Sequence, residues 1–259
     1  AWSQRLRRSL DEDLFVPYRQ PILDLRTREV IGYELLARML DESGNPILPG
    51  AFLPAAERSG MVRELDRRMM GWAIEAISLA PVNGRGPMYE VNLSARSLAD
   101  EELPPLVAEA VEGAGIDPSL LMFEITETAA IGNMEQARRF ANALREVGCR
   151  FALDDFGAGF ASFLYLKHLP LDTLKIEGEF VKGIRTNQTD QLLVRHMAEL
   201  ARGLGLRTVA EFVEDEETLE LLADHEIDSA QGFFIGRPEP LFSTNGDGSA
   251  KEVRASADN

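Results

Sequence analysis

The chain of 259 residues has one cysteine, three histidines and few aromatic residues, only 7% of the total. A single cysteine excludes an internal disulfide and suits a reducing compartment, so a cytoplasmic location is expected. Cys149 stands in Val-Gly-Cys-Arg-Phe with no histidine near it in sequence, which reads as a small buried filler rather than a reactive thiol. His168, His196 and His225 are scattered and never spaced as a helical ligand pair, which argues against zinc. Positive charge is scarce too: 27 Lys and Arg face 43 Asp and Glu, a formal net charge of −16. That balance argues against a nucleic-acid polymer or an anionic membrane surface as partner. It leaves room for a small anionic substrate, provided metal ions and a few cations dominate inside a pocket. No run approaches the roughly 18 apolar residues of a membrane span, so direct membrane insertion is not expected, and no signal peptide is visible. The chain begins at Ala1 rather than Met, which suggests a piece of a longer protein whose other parts could tether it to a membrane.

What the chain does have is a series of short apolar runs that end on polar residues. They are Ile31-Gly-Tyr-Glu34, Met88-Tyr-Glu-Val-Asn92, Leu120-Leu-Met-Phe-Glu124 and Phe151-Ala-Leu-Asp154-Asp155. Leu171-Asp-Thr-Leu-Lys175, Leu206-Arg-Thr-Val-Ala-Glu211 and Ile227-Asp-Ser-Ala-Gln231 follow. A carboxylate or lysine at the end of a buried strand is costly unless it has a partner. Repeated at helix-length intervals, such endings point to one mouth built from many strand ends, where α/β barrels keep their active sites.

The intervening segments support that reading. Phe15–Leu25 and Glu29–Leu36 form a hairpin candidate, and the Gly- and Pro-rich stretch Asp41–Pro49 reads as a loop before a helix near Glu64–Leu79. Helices are expected near Ala95–Gly113, Asn133–Val147, Gln191–Gly203 and Glu216–His225. Asn133 with Gln136 three residues on is an N-cap signature, and Gly148 a stop signal. The βαβα rhythm implies parallel strands with right-handed crossovers and, at this length, an α/β barrel. Three regions are expected: an N-terminal linker helix over residues 1–13, the barrel over 14–242, and a flexible tail over 243–259. The N-terminal helix reads equally as a terminus resting loosely on the barrel.

Glu34, Asn92, Glu124, Asp154, Asp155 and Glu211 supply hard oxygen ligands, a set suited to Mg²⁺ or Mn²⁺. Asp154 and Asp155 together could hold two metals roughly 3.5–4 Å apart, the usual arrangement for in-line attack on a phosphodiester. Gly157 and Gly159 permit a tight loop beside them. Lys175 could orient or deprotonate the attacking water, or serve as a structural ion pair. Arg38 is a phosphate-clamp candidate, and Glu127 either tethers the Gly157 loop or caps the next helix.

In this order the motifs resemble the EAL domain family, bacterial phosphodiesterases that cut the second messenger cyclic di-GMP to its linear dinucleotide, pGpG. The resemblance runs from Tyr18-Arg-Gln20-Pro21 to Gln231-Gly-Phe-Phe-Ile-Gly-Arg237-Pro238 through Tyr33-Glu34-Leu35-Leu36-Ala-Arg38, Val91-Asn92-Leu-Ser94, Glu124-Ile-Thr-Glu127 and Asp154-Asp155-Phe-Gly-Ala-Gly159. Leu174-Lys175-Ile and Ala210-Glu211-Phe-Val-Glu214 complete it. It implies an α/β fold, a modified TIM (β/α)8-type barrel with one antiparallel strand. It implies two Mg²⁺ or Mn²⁺ ions held by Glu34, Asn92, Glu124, Asp154, Asp155 and Glu211, with Ca²⁺ inhibitory. Lys175, Glu211, Glu34 and Glu127 would form the catalytic set, Glu127 by supporting the loop after Asp155. Cyclic di-GMP would meet Gln20, the backbone region of Leu35 and Leu36, Arg38, Gln231, Arg237 and Pro238. A homodimer through helices beside the Gly157 loop is expected, as is an upstream sensory or GGDEF-type cyclase domain.

Four positions depart from the family pattern without deleting a ligand: Leu35 in the namesake Glu-Ala-Leu, Ala158 for a loop threonine, Glu177 for an aspartate, and Phe212 for a glycine. The alternative function is a catalytically silent cyclic di-GMP receptor, although such family members typically lack a metal carboxylate. A barrel glycosidase would leave Asn92, Asp155 and Lys175 unexplained and would need aromatic sugar platforms.

Overall fold

In the computed structural model, which describes residues 2–80, 86–157, 164–244 and 250–252, the charged N-terminal segment is helix α1 (Trp2–Asp11). Leu6 and Leu10 lie on one side of it and are each only 1% exposed, buried in the main hydrophobic core. Strands β1 (Phe15–Asp24) and β2 (Val30–Leu40) then form the expected hairpin, with Gln20 opposite Glu34. The segment that reads as a loop carries more structure than its Gly and Pro content suggests. Strand β3 (Pro46–Ile47) pairs with the end of β2, and helix α2 (Pro49–Ser59) follows. Pro49 sits in the first turn, where a missing N–H is harmless. Pro54 lies inside the helix, which survives because Phe52, Ala55 and Ala56 bury their side chains in the core.

From there strand and helix alternate. Helix α3 (Val62–Leu79) buries Leu65, Met69, Ala73 and Ile77, four residues apart, and precedes β4 (Met88–Asn92). The helix expected from Ala95 begins instead at Leu103 as α4 (Leu103–Ala114), after a single 3₁₀ turn, with Pro in its first turn. Next come β5 (Leu121–Thr126), α5 (Glu127–Gly132) and α6 (Met134–Val147). Asn133 caps α6 by accepting from the Gln136 N–H, and Gly148 ends it with a left-handed φ of 101°. The series continues through β6 (Arg150–Phe156), α7 (Leu164–His168), β7 (Thr173–Ile176), α8 (Gly178–Gly183) and α9 (Gln188–Gly203). It ends with β8 (Arg207–Ala210), α10 (Glu216–Asp224), β9 (Ser229–Gln231) and β10 (Glu239–Pro240).

Strands β1, β2, β4, β5, β6, β7, β8 and β9 pair in a ring, with β9 returning to β1. Every neighbouring pair in the ring is parallel except those made by β1, which is antiparallel to both β2 and β9. The fold is therefore the modified barrel with one antiparallel strand. Side chains that alternate outward from the strands, such as Leu35, Val91, Phe123 and Leu153, pack under the helices as the main core. A second cluster, including Ile176, Val194 and Leu222, lies on the side of α8, α9 and α10.

The tail expected to be flexible from Ser243 contains a short antiparallel ladder, β11 (Phe242–Thr244) with β12 (Ala250–Glu252). Ala158 and Gly159 lie outside the described residues. Among the described residues no helix is long and apolar enough to cross a membrane.

Candidate active site

Each of the eight ring strands carries at least one polar residue to the same mouth, on the strand positions that alternate away from the core. Gln20 comes from β1, Glu34 from β2, Glu90 and Asn92 from β4, Glu124 from β5 and Asp154 from β6. Lys175 comes from β7, Glu211 from the residue after β8 and Gln231 from β9. Register brings Glu34 opposite Glu90 and Asn92 opposite Glu124. Glu34 is held from two sides: Asn92 donates to its Oε1 and Gln231 to its Oε2, both at 2.6 Å. Gln231 also donates to Gln20 at 3.1 Å, and Gln20 donates to the Gly236 carbonyl at 3.1 Å.

Lys175 is fully buried at the centre. Its Nζ lies 2.7 Å from Glu124, 3.0 Å from Glu211, 3.6 Å from Glu34, 3.7 Å from Glu90 and 4.0 Å from Asp154. Burial alone would lower the lysine pKa, but these carboxylates outweigh it and hold the group well above its ordinary value. In the metal-free cluster these acids favour the ammonium form of Lys175.

Burial pushes the surrounding acids the other way. Glu211 is raised to about 8 and Asp155 to about 6, the latter also by its hydrogen bond and repulsion with Glu177. Glu124, Glu90 and Asp154 are raised as well, first by burial and then by neighbouring carboxylates, Glu34 among them in each case. Glu124 Oε1, both oxygens of Glu90 and Gln231 Oε1 are buried without a hydrogen-bond partner. One oxygen from each of Asp154, Asp155 and Glu211 lies within 4.8 Å of the others. An all-oxygen, anion-rich set with orphaned buried acceptors fits a hard divalent cation.

Adjacent strand residues normally face opposite sides, yet Asp154 and Asp155 share the mouth. The ladder between β6 and β7 is irregular between Leu153 and Phe156, and Asp155 takes a left-handed φ of 54° that turns its carboxylate back inward. Beyond the bulge, the Gly157 N–H donates to Glu127 at 3.0 Å, while Thr126 caps α5. Of the two readings open for Glu127, the tether is the one observed.

The carboxylates open into a cavity of about 800 Å³ lined also by Gln20, Leu36, Arg38, Gln231 and Pro238. Arg38 is buried, its guanidinium 5.2 Å from the Tyr18 ring centroid and hydrogen-bonded to the Ala37 carbonyl. Of the expected substrate contacts, Leu35 has only its backbone to offer and Arg237 is placed elsewhere. Leu35 has its side chain in the core, because alternation along β2 sends Leu36 to the cavity instead. Arg237 is exposed, its guanidinium over the Phe233 ring at 4.4 Å, and is not among the lining residues. Glu90 is the site residue the sequence reading missed. It lies two positions before Asn92 on the same strand, so alternation alone marks it as inward-facing. Cys149 is a buried filler whose thiol burial pushes up to about 12. His168 and His196 are exposed, and no histidine enters the acidic cluster.

With this geometry in hand, likeness to known proteins becomes informative. The EAL domain family model matches residues 3–238. The chain is 37% identical over 243 residues to "Cyclic di-GMP phosphodiesterase PdeB" of Shewanella oneidensis, covering 93% of this chain and 28% of that protein. It is 36% identical over 248 residues to "Cyclic di-GMP phosphodiesterase PdeF" of Escherichia coli, covering 94% of this chain and 32% of that protein. The chain thus spans about a third of those relatives' length. Among solved structures, the PaMucR phosphodiesterase in complex with c-di-GMP superposes with a TM-score of 0.87 at 32% identity, covering 92% of this chain and 97% of that one. The Pseudomonas aeruginosa FimX EAL domain bound to c-di-GMP gives 0.85 at 26% identity, covering 92% and 96%. Fold and sequence agree, and the chain belongs to the EAL domain family.

Proposed function

We propose that this domain hydrolyses cyclic di-GMP to linear pGpG, using divalent cations, Mg²⁺ or Mn²⁺, held by Glu34, Asn92, Glu124, Asp154, Asp155 and Glu211. The observation that carries the reading is the complete ring of oxygen ligands around one buried lysine, opening into a cavity of about 800 Å³. That volume is within the range of small-molecule sites. Two relatives named as cyclic di-GMP phosphodiesterases support it. When bound, the cations supply the positive charge that stabilises the attacked phosphate and makes water a nucleophile near neutral pH. The protein's own groups do the rest. Lys175 orients the attacking water by donating to it. Asn92 and Gln231 hold Glu34 in one rotamer, so the ligand set is organised before substrate arrives. Arg38 places a buried cation on the cavity wall for the phosphodiester, and Gln20, Leu36 and Pro238 shape the nucleoside edge. The Glu127 tether keeps Asp155 in its inward conformation. Water attacks phosphorus as the bond to the 3′ oxygen breaks, the proton the water gives up is balanced by one taken up at that oxygen, and the ring-opened dinucleotide departs.

The test is incubation of the purified protein with cyclic di-GMP and Mn²⁺, with chromatographic detection of pGpG. Product from the wild type, lost with EDTA and in Glu34→Ala, is the expected result. Tight binding with no product in either cation would replace the hydrolase with a receptor.

A further inference from the structure

Phe212 is hard to account for as packing. It follows Glu211 directly and lines the cavity beside Asp155, Glu211 and Lys182, yet it is 52% exposed. Its backbone has φ 55°, a left-handed conformation that is strained for a bulky side chain and free for glycine. Strain of this kind persists where the surrounding structure enforces it, and it concentrates at functional sites. The surroundings do enforce it. The ring rests on helix α8, where a Cβ added at Gly178 would fall 2.2 Å from it, so a side chain there is incompatible with the ring's position. One turn further on, the Lys182 ammonium lies 4.4 Å from the ring centroid. The ring is therefore held against α8 and half exposed where it lines the cavity, and it also borders a smaller cavity with Arg185 and Asp215.

We propose that Phe212 is a stacking wall for one guanine base of cyclic di-GMP, and so a determinant of substrate affinity; this rests on the phosphodiesterase reading above. Purine faces stack on aromatic rings, and a pre-positioned ring gives that contact with little loss of side-chain freedom. The role is binding and not chemistry, because the ring has no group that can act at phosphorus.

The experiment compares wild type with Phe212→Gly and Phe212→Trp, measuring KM and kcat for cyclic di-GMP with Mn²⁺, calorimetric Kd with Ca²⁺, and melting temperature. Phe212→Gly removes the ring and the strain together, so the fold is not put at risk. Its KM and Kd are expected to rise about tenfold, the scale of a lost base–aromatic stack. Its kcat should stay within about twofold, the signature of lost uniform binding, with melting temperature undiminished. Phe212→Trp should bind as well as wild type or better. Unchanged KM and Kd in Phe212→Gly, or a fall in kcat together with melting temperature, overturns the proposal. So does a loss of affinity in Phe233→Ala, the other half-exposed ring on this cavity, but not in Phe212→Gly. A wild type that binds without cleaving defeats hydrolysis alone, and Kd still judges Phe212. A wild type that does not bind cyclic di-GMP defeats both.

Discussion

Replacing Lys175 with Met tests how much of the barrel depends on one buried cation. Methionine keeps most of the stem and removes the ammonium, leaving Glu124, Glu211, Glu34, Glu90 and Asp154 facing one another where they had shared it at 2.7–4.0 Å. Removing one partner of a buried ion pair costs about 3–5 kcal/mol. In a domain of this size that lowers the melting temperature by roughly 6–20 °C, since 1 kcal/mol corresponds to roughly 2–4 °C. The sign of the pH dependence follows from the acids. Their folded pKa values are raised, to about 6 for Asp155 and about 8 for Glu211, so the folded state binds more protons than the unfolded one. That contribution is complete below the ordinary carboxylate range and is lost as pH rises through those two values. Without Lys175 the loss is steeper, so the gap between variant and wild type is widest above about 8 and narrowest below about 6. Thermal melts in EDTA at both ends of that window decide it. Equal melting temperatures above 8 would show that the ammonium does not carry the cluster, and a gap that widens toward acid would show the charge argument has the wrong sign.

Glu90→Gln should act in the opposite direction, raising the melting temperature of the metal-free protein at alkaline pH, because it neutralises a carboxylate that burial first, and the charges of Glu34 and Asp154 after it, make costly to ionise. The same melts check it. Mn²⁺ affinity should increase as pH rises from about 6 to about 8 and then level, since the ligands bind metal only when deprotonated. Titration of free Mn²⁺ by electron paramagnetic resonance would expose a flat profile. Asp155→Asn should weaken Mn²⁺ binding more than about tenfold by calorimetry, and unaltered affinity would remove Asp155 from the ligand set. Leu10→Ala should cost about 2–5 kcal/mol as a core cavity with KM unchanged, marking α1 as part of the folded unit. A melt identical to wild type would make α1 an appendage.

Much of the site could be read from strand parity. Glu34, Asn92, Glu124, Asp154, Lys175 and Gln231 each end an apolar run, and a polar residue there has few places to go other than the barrel mouth. The same rule, taken one step back along β4, finds Glu90, and applied to β2 it separates Leu36 from Leu35. Helix α2 was hidden because Pro54 and Gly50 carry local breaking signals, which burial of Phe52 and Ala55 overrides. Asp155 was legible as a metal-ligand candidate, but the way it turns was not. Its direction depends on a bulge whose partner strand begins at Thr173, and nothing local to Asp154-Asp155 encodes it.

By itself, then, the amino-acid order determined the eight ring strands, most of their alternation with helices and the inward-facing positions, because a period of two along a strand is a local property of the chain. Only the closed barrel decided that β1 runs against its neighbours on both sides, and that Asp155 turns back beside Asp154. It alone brought five carboxylates from five strands within 4.0 Å of Lys175. Desolvation and charge–charge distance set the chemistry of those groups, and both exist only once residues remote in sequence share one interior.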